Sequence, residues 1–435
     1  MKSIGAVIIV ILTSLFYFPF NSAFLPSVNT KMAMAVLGLA LFALKGFQDR
    51  NGEIDRTLLS VSVWAFAVSF VGLISVTLNG TPDYTYATYI ISLWVWLAGA
   101  YVVIRTIELF YGKATLRLVS NFLIAVCVCQ CIMSQLTDNY AAVASWVKSF
   151  VVSEGFMGIP EGRLYGIGCA LDVAGLKFCV VLLLIAYYVV TPSGKINRYL
   201  EVGLYLLSFA IIGVCGSMIA RTATIGIGMA VLFWIVYPIV YKDKSKKIDY
   251  LSFLQVLVIF LVVLLPAGIY LYRTDPGFKD NLRFGFEGFF SLVEKGEWDV
   301  RSNDMMMSMW IWPDNLKTWI IGDGYFDSPM RNPYYIGSNP GDFYMGTDIG
   351  YCRFVFYFGI VGLLTFCGFF INCIVRCCRN IPGHAVLFWS ILIINFIGWC
   401  KVSSDIFPVI ALFLLISSSG QDEKEIREIK PYGLR

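Results

Sequence analysis

The sequence predicts an all-α membrane protein, a polytopic helix bundle with about twelve transmembrane helices and a folded periplasmic cap. Of its 435 residues, 58% are hydrophobic and only 14% are charged, and its mean hydropathy is +0.73. Soluble domains average about 45–50% apolar and about 25% charged residues, so this composition excludes a soluble globular chain. It also excludes a disordered chain, which lacks apolar and aromatic surface. The apolar residues form long runs without the alternation of barrel strands, which favours helices.

Twelve apolar windows approach the length of about 20 residues that a helical span needs. They lie near 4–21, 31–47, 58–78, 86–104, 118–136, 170–191, 199–219, 222–241, 250–272, 349–375, 383–400 and 402–418. The first window resembles a signal peptide. The residues after it, Asn21-Ser22-Ala23, lack the usual cleavage pattern, so we expect an uncleaved first span.

Lysine and arginine set the orientation, because they are enriched in loops on the cytoplasmic side. With the N-terminus inside, the inner loops and tails hold most of them, including Arg117 and Lys246. The sequence therefore predicts a multi-pass membrane protein with both termini in the cytoplasm. Two outer regions, 137–169 and 273–347, are too long to be mere turns, and such connections are usually functional. We expect the second, between spans nine and ten, to fold as the cap.

The cysteine and histidine pattern predicts neither a metal site nor a cofactor. Most of the 12 cysteines lie in apolar runs, as Cys127, Cys129 and Cys131 do, and the sole histidine is His384. Zinc sites pair cysteine and histidine at set spacings, whereas buried thiols act as small hydrophobic groups. The sequence also lacks a P-loop for a nucleoside triphosphate.

Arg221 is the first candidate functional residue. Spans seven and eight form an almost unbroken apolar run from Tyr199 to Tyr241, so the turn that carries Arg221 must be tight. An arginine at the edge of the hydrocarbon is costly unless it finds a partner, and its planar fork suits a phosphate group. The alternative is an arginine that ends a span and extends its charge into the headgroups.

Three further candidates surround the start of span six. Arg163 lies in the first long outer loop, just before Gly166 and Gly168, and glycines allow a close approach of the backbone. Asp172 and Lys177 follow five residues apart, a spacing that does not place them on one helix face. For these two, a structural ion pair is as good an interpretation as contact with a substrate.

The cap contributes arginines and tryptophans. Arg273 opens it, and Arg301 begins an amphipathic stretch that leads to Trp310. A solvated loop arginine is the alternative for Arg301. Gly322-x-Gly324 follows and is a weak signal that a simple turn also explains.

Asp348 stands at the predicted outer start of span ten, before Gly350, Tyr351 and Arg353. A carboxylate near a helix N-terminus is electrostatically favoured and helps to cap it. The functional alternative is a general base for an incoming hydroxyl group. The pattern alone does not decide between the two.

In this order and on this side of the membrane, the motifs resemble those of the O-antigen polymerases of the Wzy type and of their lipopolysaccharide-ligase relatives. The resemblance runs from about residue 160 to 365. It is carried by Arg163-x-x-Gly166 with Asp172, Ser217 with Arg221-Thr222, Arg301 with Trp310 and Gly322-x-Gly324, and Asp348-x-Gly350-Tyr351 with Gly359 and Gly362.

The resemblance implies a metal-independent glycosyltransferase of the bacterial inner membrane that uses a lipid-linked donor. The donor would be a sugar repeat unit or chain on undecaprenyl diphosphate, and the acceptor would be a hydroxyl of another lipid-linked unit. Arg221 and Arg163 would neutralise the departing diphosphate, and Asp348 would take the acceptor proton. The implied substrate-binding residues are Arg301, Arg273, Asp172, Lys177, Trp310 and Tyr351. Membrane lipid and a polysaccharide chain-length regulator would be partners.

Three alternatives stay open at this point. A ligase would move glycan onto the lipid A core, but the ligases carry a histidine ten residues before a glycine, and here Asp348 takes that place before Gly359. A transporter or flippase for lipid-linked sugars should bury charges at the bilayer midplane, where the predicted spans are nearly bare. A structural membrane protein whose cap binds a partner is the third.

Overall fold

The computed structural model describes residues 2–48, 55–152, 164–191, 193, 197–240, 244–328 and 343–416. Apart from a small antiparallel hairpin, Asn21–Ser22 with Leu25–Asn29, these residues form helices and their connections, which confirms the all-α prediction. The α-helices are α1 (Lys2–Tyr17), α2 (Thr30–Gln48), α3 (Arg56–Asn79), α4 (Tyr89–Tyr111), α5 (Leu116–Asn139), α6 (Ala141–Phe150), α7 (Leu171–Val190), α8 (Arg198–Ile219), α9 (Ala223–Val240), α10 (Lys244–Thr274), α11 (Pro276–Gly285), α12 (Glu287–Lys295), α13 (Arg301–Ser308), α14 (Leu316–Ile321), α15 (Gly350–Asn380), α16 (Ala385–Gly398) and α17 (Phe407–Leu414).

Seven of the described helices are long and apolar enough to cross a membrane, as a multi-pass membrane protein requires. They are α3, α4, α5, α7, α8, α15 and the Phe253–Thr274 part of α10. Four shorter apolar helices, in α1, α2, α9 and α16, coincide with further predicted windows. The window at 402–418 contains only the eight residues of α17. The count of twelve spans, the orientation and the inner-membrane location stay predictions.

The chain divides into two compact units, which are described separately. The first unit comprises Met1–Thr30, Phe110–Gly112 and Arg117–Asp299. The second comprises Lys31–Leu109, Lys113–Leu116 and Val300–Arg435. Arg221 and α12 therefore belong to the first unit, and Asp348 and α15 belong to the second.

The first unit is built around α7, which is apolar on all sides and almost wholly buried, as expected of a central helix. It packs against α8 and α9. Glycines allow α9 to come very close, because a Cβ atom at Gly226 would lie 2.5 Å from Cα of Cys179. A Cβ atom at Gly175 would lie 2.8 Å from Cβ of Thr222. This close packing brings the first turns of α7 and α9 together.

Arg117, at the start of α5, joins the C-terminal end of α7 to the first turn of α8. Its Nη1 lies 3.1 Å from Oε1 of Glu201, and its Nη2 donates to the carbonyl oxygen of Thr191 at 2.5 Å. The guanidinium also lies 4.5 Å from the ring centroid of Tyr188. Arg117 is thus a half-buried structural clamp rather than one of many inner-loop charges.

The second unit contains an aromatic core between α3, α15 and α16. Tyr86, just before α4, contacts the rings of Phe354, Phe358 and Phe366 edge-on. Trp399 stacks on Phe366 with the ring centroids 5.1 Å apart. Such ring pairs add to the free energy gained by burial, and they fix α15 against the end of α16.

α15 is not a continuous helix. It breaks at Phe358 and Gly359, and Gly359 has φ 68° and ψ −172°, a conformation open only to glycine. The break leaves carbonyl groups without helical partners. The segment after α14 supplies them, because the N–H groups of Asp323 and Gly324 donate to the carbonyl oxygens of Phe356 (2.6 Å) and Tyr357 (3.1 Å). α14 therefore packs directly on the broken helix, and a folded periplasmic cap stays a prediction.

Candidate functional site

Arg221 lies in the tight turn that the sequence predicts, because α8 ends at Ile219 and α9 begins at Ala223. Its side chain is only 19% exposed, and Nη1 lies 2.8 Å from Oε2 of Glu287. Its Nε donates to the carbonyl oxygen of Phe284 at 3.0 Å, and the guanidinium lies 4.2 Å from the centroid of that ring. The end of α11 and the start of α12 thus hold Arg221 in place.

The N-termini of α7 and α9 meet beside Arg221. Asp172, in the first turn of α7, accepts a hydrogen bond from Oγ1 of Thr222, the neighbour of Arg221 in the chain. The first N–H groups of α9 already donate to carbonyl oxygens of the turn before it, so this end attracts an anion through the positive end of the helix dipole. Together with a guanidinium, such an end is suited to an anionic group such as a phosphate. Asp172 acts here as a hydrogen-bond acceptor that positions Thr222.

Arg163 lies outside the described residues, but the segment that follows it is firmly anchored. The N–H of Leu164 donates to the carbonyl oxygen of Met218 at 3.2 Å, three residues before Arg221. The side-chain amide of Gln130 bonds both the N–H and the C=O group of Ile167, at 2.8 and 2.9 Å. A Cβ atom at Gly166 would lie 2.4 Å from Oε1 of Gln130, so the glycine permits the close approach that the sequence suggested.

Lys177 binds the end of α1. Its Nζ donates to the carbonyl oxygen of Tyr17, the last residue of α1, and the Tyr17 hydroxyl donates to the carbonyl oxygen of Lys177 at 3.0 Å. The ammonium also lies 5.1 Å from the ring centroid of Phe18. Carbonyl groups at a helix end lack intrahelical partners and attract a cation. These contacts give Lys177 a structural role at the end of α1. Contact of Lys177 with a substrate stays a prediction.

In the second unit, Asp348 lies beside a buried arginine, Arg353. Nη1 of Arg353 lies 3.9 Å from Oδ1 of Asp348, and the Arg353 side chain is only 4% exposed. Its Nη2 lies 3.0 Å from Oδ1 of Asp327 and 2.9 Å from the carbonyl oxygen of Phe326, and Nη1 donates to the Ser403 hydroxyl at 2.8 Å.

The Arg353 guanidinium also lies between two rings, 3.5 Å from the centroid of Phe326 and 4.3 Å from that of Phe343. The Asp348 carboxylate is two residues before the first residue of α15 and one-third exposed, so a substrate hydroxyl can reach it.

The remaining predicted site residues lie in both units. Arg273 is exposed in the last turn of α10. Arg301 begins α13, and Trp310 is half-buried with its ring centroid 5.7 Å from that of Trp312. Tyr351 donates to the carbonyl oxygen of Phe396 at 3.0 Å, which ties α15 to α16. Roles of these residues in substrate binding stay predictions.

Tyr344, four residues before Asp348, has a raised pKa. Its hydroxyl donates to Oδ2 of Asp323 at 3.2 Å, in the segment that seals the break in α15. Burial, followed by the charge of Asp323, raises the pKa of Tyr344 to about 12. Tyr344 is therefore a hydrogen-bond donor at neutral pH and not a base.

Sequence reasoning did not assign roles to Glu287, Asp327 and Arg353. Glu287 and Asp327 are two of many cap carboxylates. The partner of Glu287 is Arg221, in the turn before α9, and the partner of Asp327 is Arg353, in α15. Arg353 stands near Asp348 and within the predicted window 349–375, where charged residues are rare because they are costly to place in a membrane. That signal was available from the sequence.

Among the described residues, no three His, Cys, Asp or Glu side chains are grouped as metal ligands. Comparison with known proteins adds no identification. No protein-family model, curated protein or solved structure matches the chain.

Proposed function

We propose that the protein is a surface-polysaccharide polymerase of the O-antigen type. It would join undecaprenyl-diphosphate-linked repeat units at the periplasmic face of the bacterial inner membrane. The observation that carries the proposal is the setting of Arg221, a mostly buried cation in the turn between two apolar helices and beside two helix N-termini. A lipid-linked diphosphate has the charge and the membrane depth that match this setting.

The chemistry follows from these groups. The bond between the anomeric carbon of the donor glycan and its diphosphate breaks, and the acceptor hydroxyl oxygen forms the new bond to that carbon. Arg221, with Arg163, stabilises the negative charge that develops on the leaving diphosphate. Asp348, beside Arg353, takes the proton of the acceptor hydroxyl.

A transporter is less well supported, although α15 is broken as many transporter helices are. In transporters, the unwound carbonyl groups coordinate ions. Here the carbonyl oxygens of Phe356 and Tyr357 accept hydrogen bonds from Asp323, Gly324 and the Ser75 hydroxyl. These bonds support a structural role for the break. The ligase alternative shares the Arg221 chemistry and differs only in the acceptor.

A two-lipid assay tests the proposal. Purified protein receives lipid-linked repeat units, and the products are separated by size on a gel. A ladder of products is expected of a polymerase. A single shifted band that requires added lipid A core would indicate a ligase, and the absence of any new covalent product would contradict a glycosyltransferase.

A further inference from the structure

One apolar surface of the first unit has no role in the proposed chemistry. It is the outward face of α12, formed by Phe289, Leu292 and Val293, which recur at helical spacing. All three side chains are exposed, and Val293 is 86% exposed. The opposite face is packed against the protein, since Gly288 and Ser291 are buried and a Cβ atom at Gly288 would lie 2.5 Å from the Trp298 ring.

Contacts with the end of a candidate span fix the position of α12 along that span. Phe290 stacks on Tyr272 with the ring centroids 5.8 Å apart and an interplanar angle of 10°. Tyr272 stands two residues before Thr274, where the span Phe253–Thr274 ends. α12 therefore lies beside the last turn of α10 and not above it.

Arg283 secures this arrangement. Its two Nη atoms each lie 2.7 Å from one carboxylate oxygen of Glu294 on α12, and Nη1 also donates to the Tyr272 hydroxyl at 3.2 Å. A paired, two-pronged contact of this kind fixes orientation as well as distance. Arg283 thereby joins α10, α11 and α12, and α12 cannot move away from the end of the span without breaking these bonds.

The surface next to α12 is already expected to face lipid. The Phe253–Thr274 span is the least buried of the candidate spans, and its apolar side chains Val262, Ile269 and Tyr270 are exposed. The α12 face continues this surface at the level where the span ends. A helix with one apolar face at that depth lies in the plane of the membrane interface.

We propose that α12 is an interfacial helix that inserts Phe289, Leu292 and Val293 among the acyl chains of the adjacent membrane leaflet. The inference depends on the membrane class and holds whether or not Arg221 binds a diphosphate. Combined with the proposed function, it would place Glu287, at the start of α12, and its partner Arg221 at the depth of lipid headgroups.

Photocrosslinking tests this inference. The photoreactive residue p-benzoylphenylalanine is placed at Val293 or, as the matched control on the same helix, at Lys295, which is exposed and paired with Asp299. Each full-length protein is reconstituted into nanodiscs of phosphatidylethanolamine and phosphatidylglycerol and irradiated. Mass spectrometry then measures the fraction of protein that carries one added phospholipid.

We expect a phospholipid adduct at position 293 that exceeds the adduct at position 295 severalfold. Equal adducts at the two positions, or none at 293, would mean that the α12 face is not inserted. A crosslinked dimer from position 293 would mean that a second copy covers the face, and it would overturn the inference as well. Failure of the two-lipid assay would leave the expected adduct pattern unchanged, so the two proposals can fail separately.

Discussion

Nη1 of Arg221 lies 2.8 Å from Oε2 of Glu287, so the cation that we propose for diphosphate binding is already paired with a carboxylate. The pair joins the turn before α9 to the start of α12. An anionic substrate must compete with Glu287 for the guanidinium. Glu287 thus sets how tightly Arg221 can hold a diphosphate, and it prevents an unpaired charge in the absence of substrate.

The first prediction concerns this competition. Glu287→Gln removes the competing charge and keeps the side-chain shape, so undecaprenyl diphosphate should bind about 2- to 5-fold more tightly, in keeping with the modest strength of a partly exposed ion pair. Titration calorimetry on protein in nanodiscs measures the affinity. Arg221→Ala, the matched control, should abolish the gain. Unchanged or weaker binding by Glu287→Gln would contradict competition at this site.

The second prediction concerns the break in α15. Gly359→Ala should destabilise the protein by about 3 kcal/mol or more, because alanine avoids this backbone conformation and its Cβ would lie 2.1 Å from the carbonyl oxygen of Ile320. Thermal unfolding in detergent measures the loss. Gly268→Ala is the control, because nothing lies within 4 Å of its Cβ position in α10. Equal stability of the two variants would exclude the close packing described here.

The third prediction concerns the buried arginine beside Asp348. Arg353→Met should cost about 2–4 kcal/mol, since it leaves buried hydrogen-bond acceptors without their donor. Asp327→Asn should cost about 1 kcal/mol or less, because Asp327 is half exposed. Denaturation in matched detergent compares the two variants. Similar losses would show that the Arg353–Asp327 pair, and not the whole set of Arg353 contacts, maintains the region.

The fourth prediction concerns pH. The pKa of Tyr344 is raised to about 12, so its neutral form is favoured in the folded protein. Its contribution to stability is then fully present below about pH 10, the pKa of an unperturbed tyrosine, and is lost as the pH rises toward 12. The stability difference between the wild type and Tyr344→Phe should therefore shrink over this interval. A difference that stays constant with pH would be contrary to this account.

The sequence alone predicts which segments are helical, because apolar composition over some 20 residues is a local property. It does not predict the break in α15. Around the break the window 349–375 is apolar, and glycines are common in membrane helices. The donors that satisfy the break, Asp323 and Gly324, come from a distant segment. A local sequence pattern does not show which distant residues donate these hydrogen bonds.

The candidate site, like the fold, is predicted from the sequence only in part. The tight turn at Arg221 and the position of Asp348 before a helix follow from local sequence. The partner of Arg221 does not, because Glu287 stands far along the chain and is brought to it only by long-range packing. Arg353 stands five residues after Asp348, so that pairing is visible in the sequence.

Arg117 counts as an inner-loop charge in the sequence and is a structural clamp in the fold, so it is a poor neutral control. Arg105, exposed and paired with Glu108 one turn away, is a better one.

The most direct measurement of the central claim is the product ladder of Arg221→Ala in the two-lipid assay, compared with Arg105→Ala at equal amounts of inserted protein. The account predicts a fall in chain extension of about 100-fold or more for Arg221→Ala, as for the loss of one preorganised donor to a developing negative charge, and no change for Arg105→Ala. A normal ladder from Arg221→Ala would contradict the claim that this arginine stabilises the leaving diphosphate.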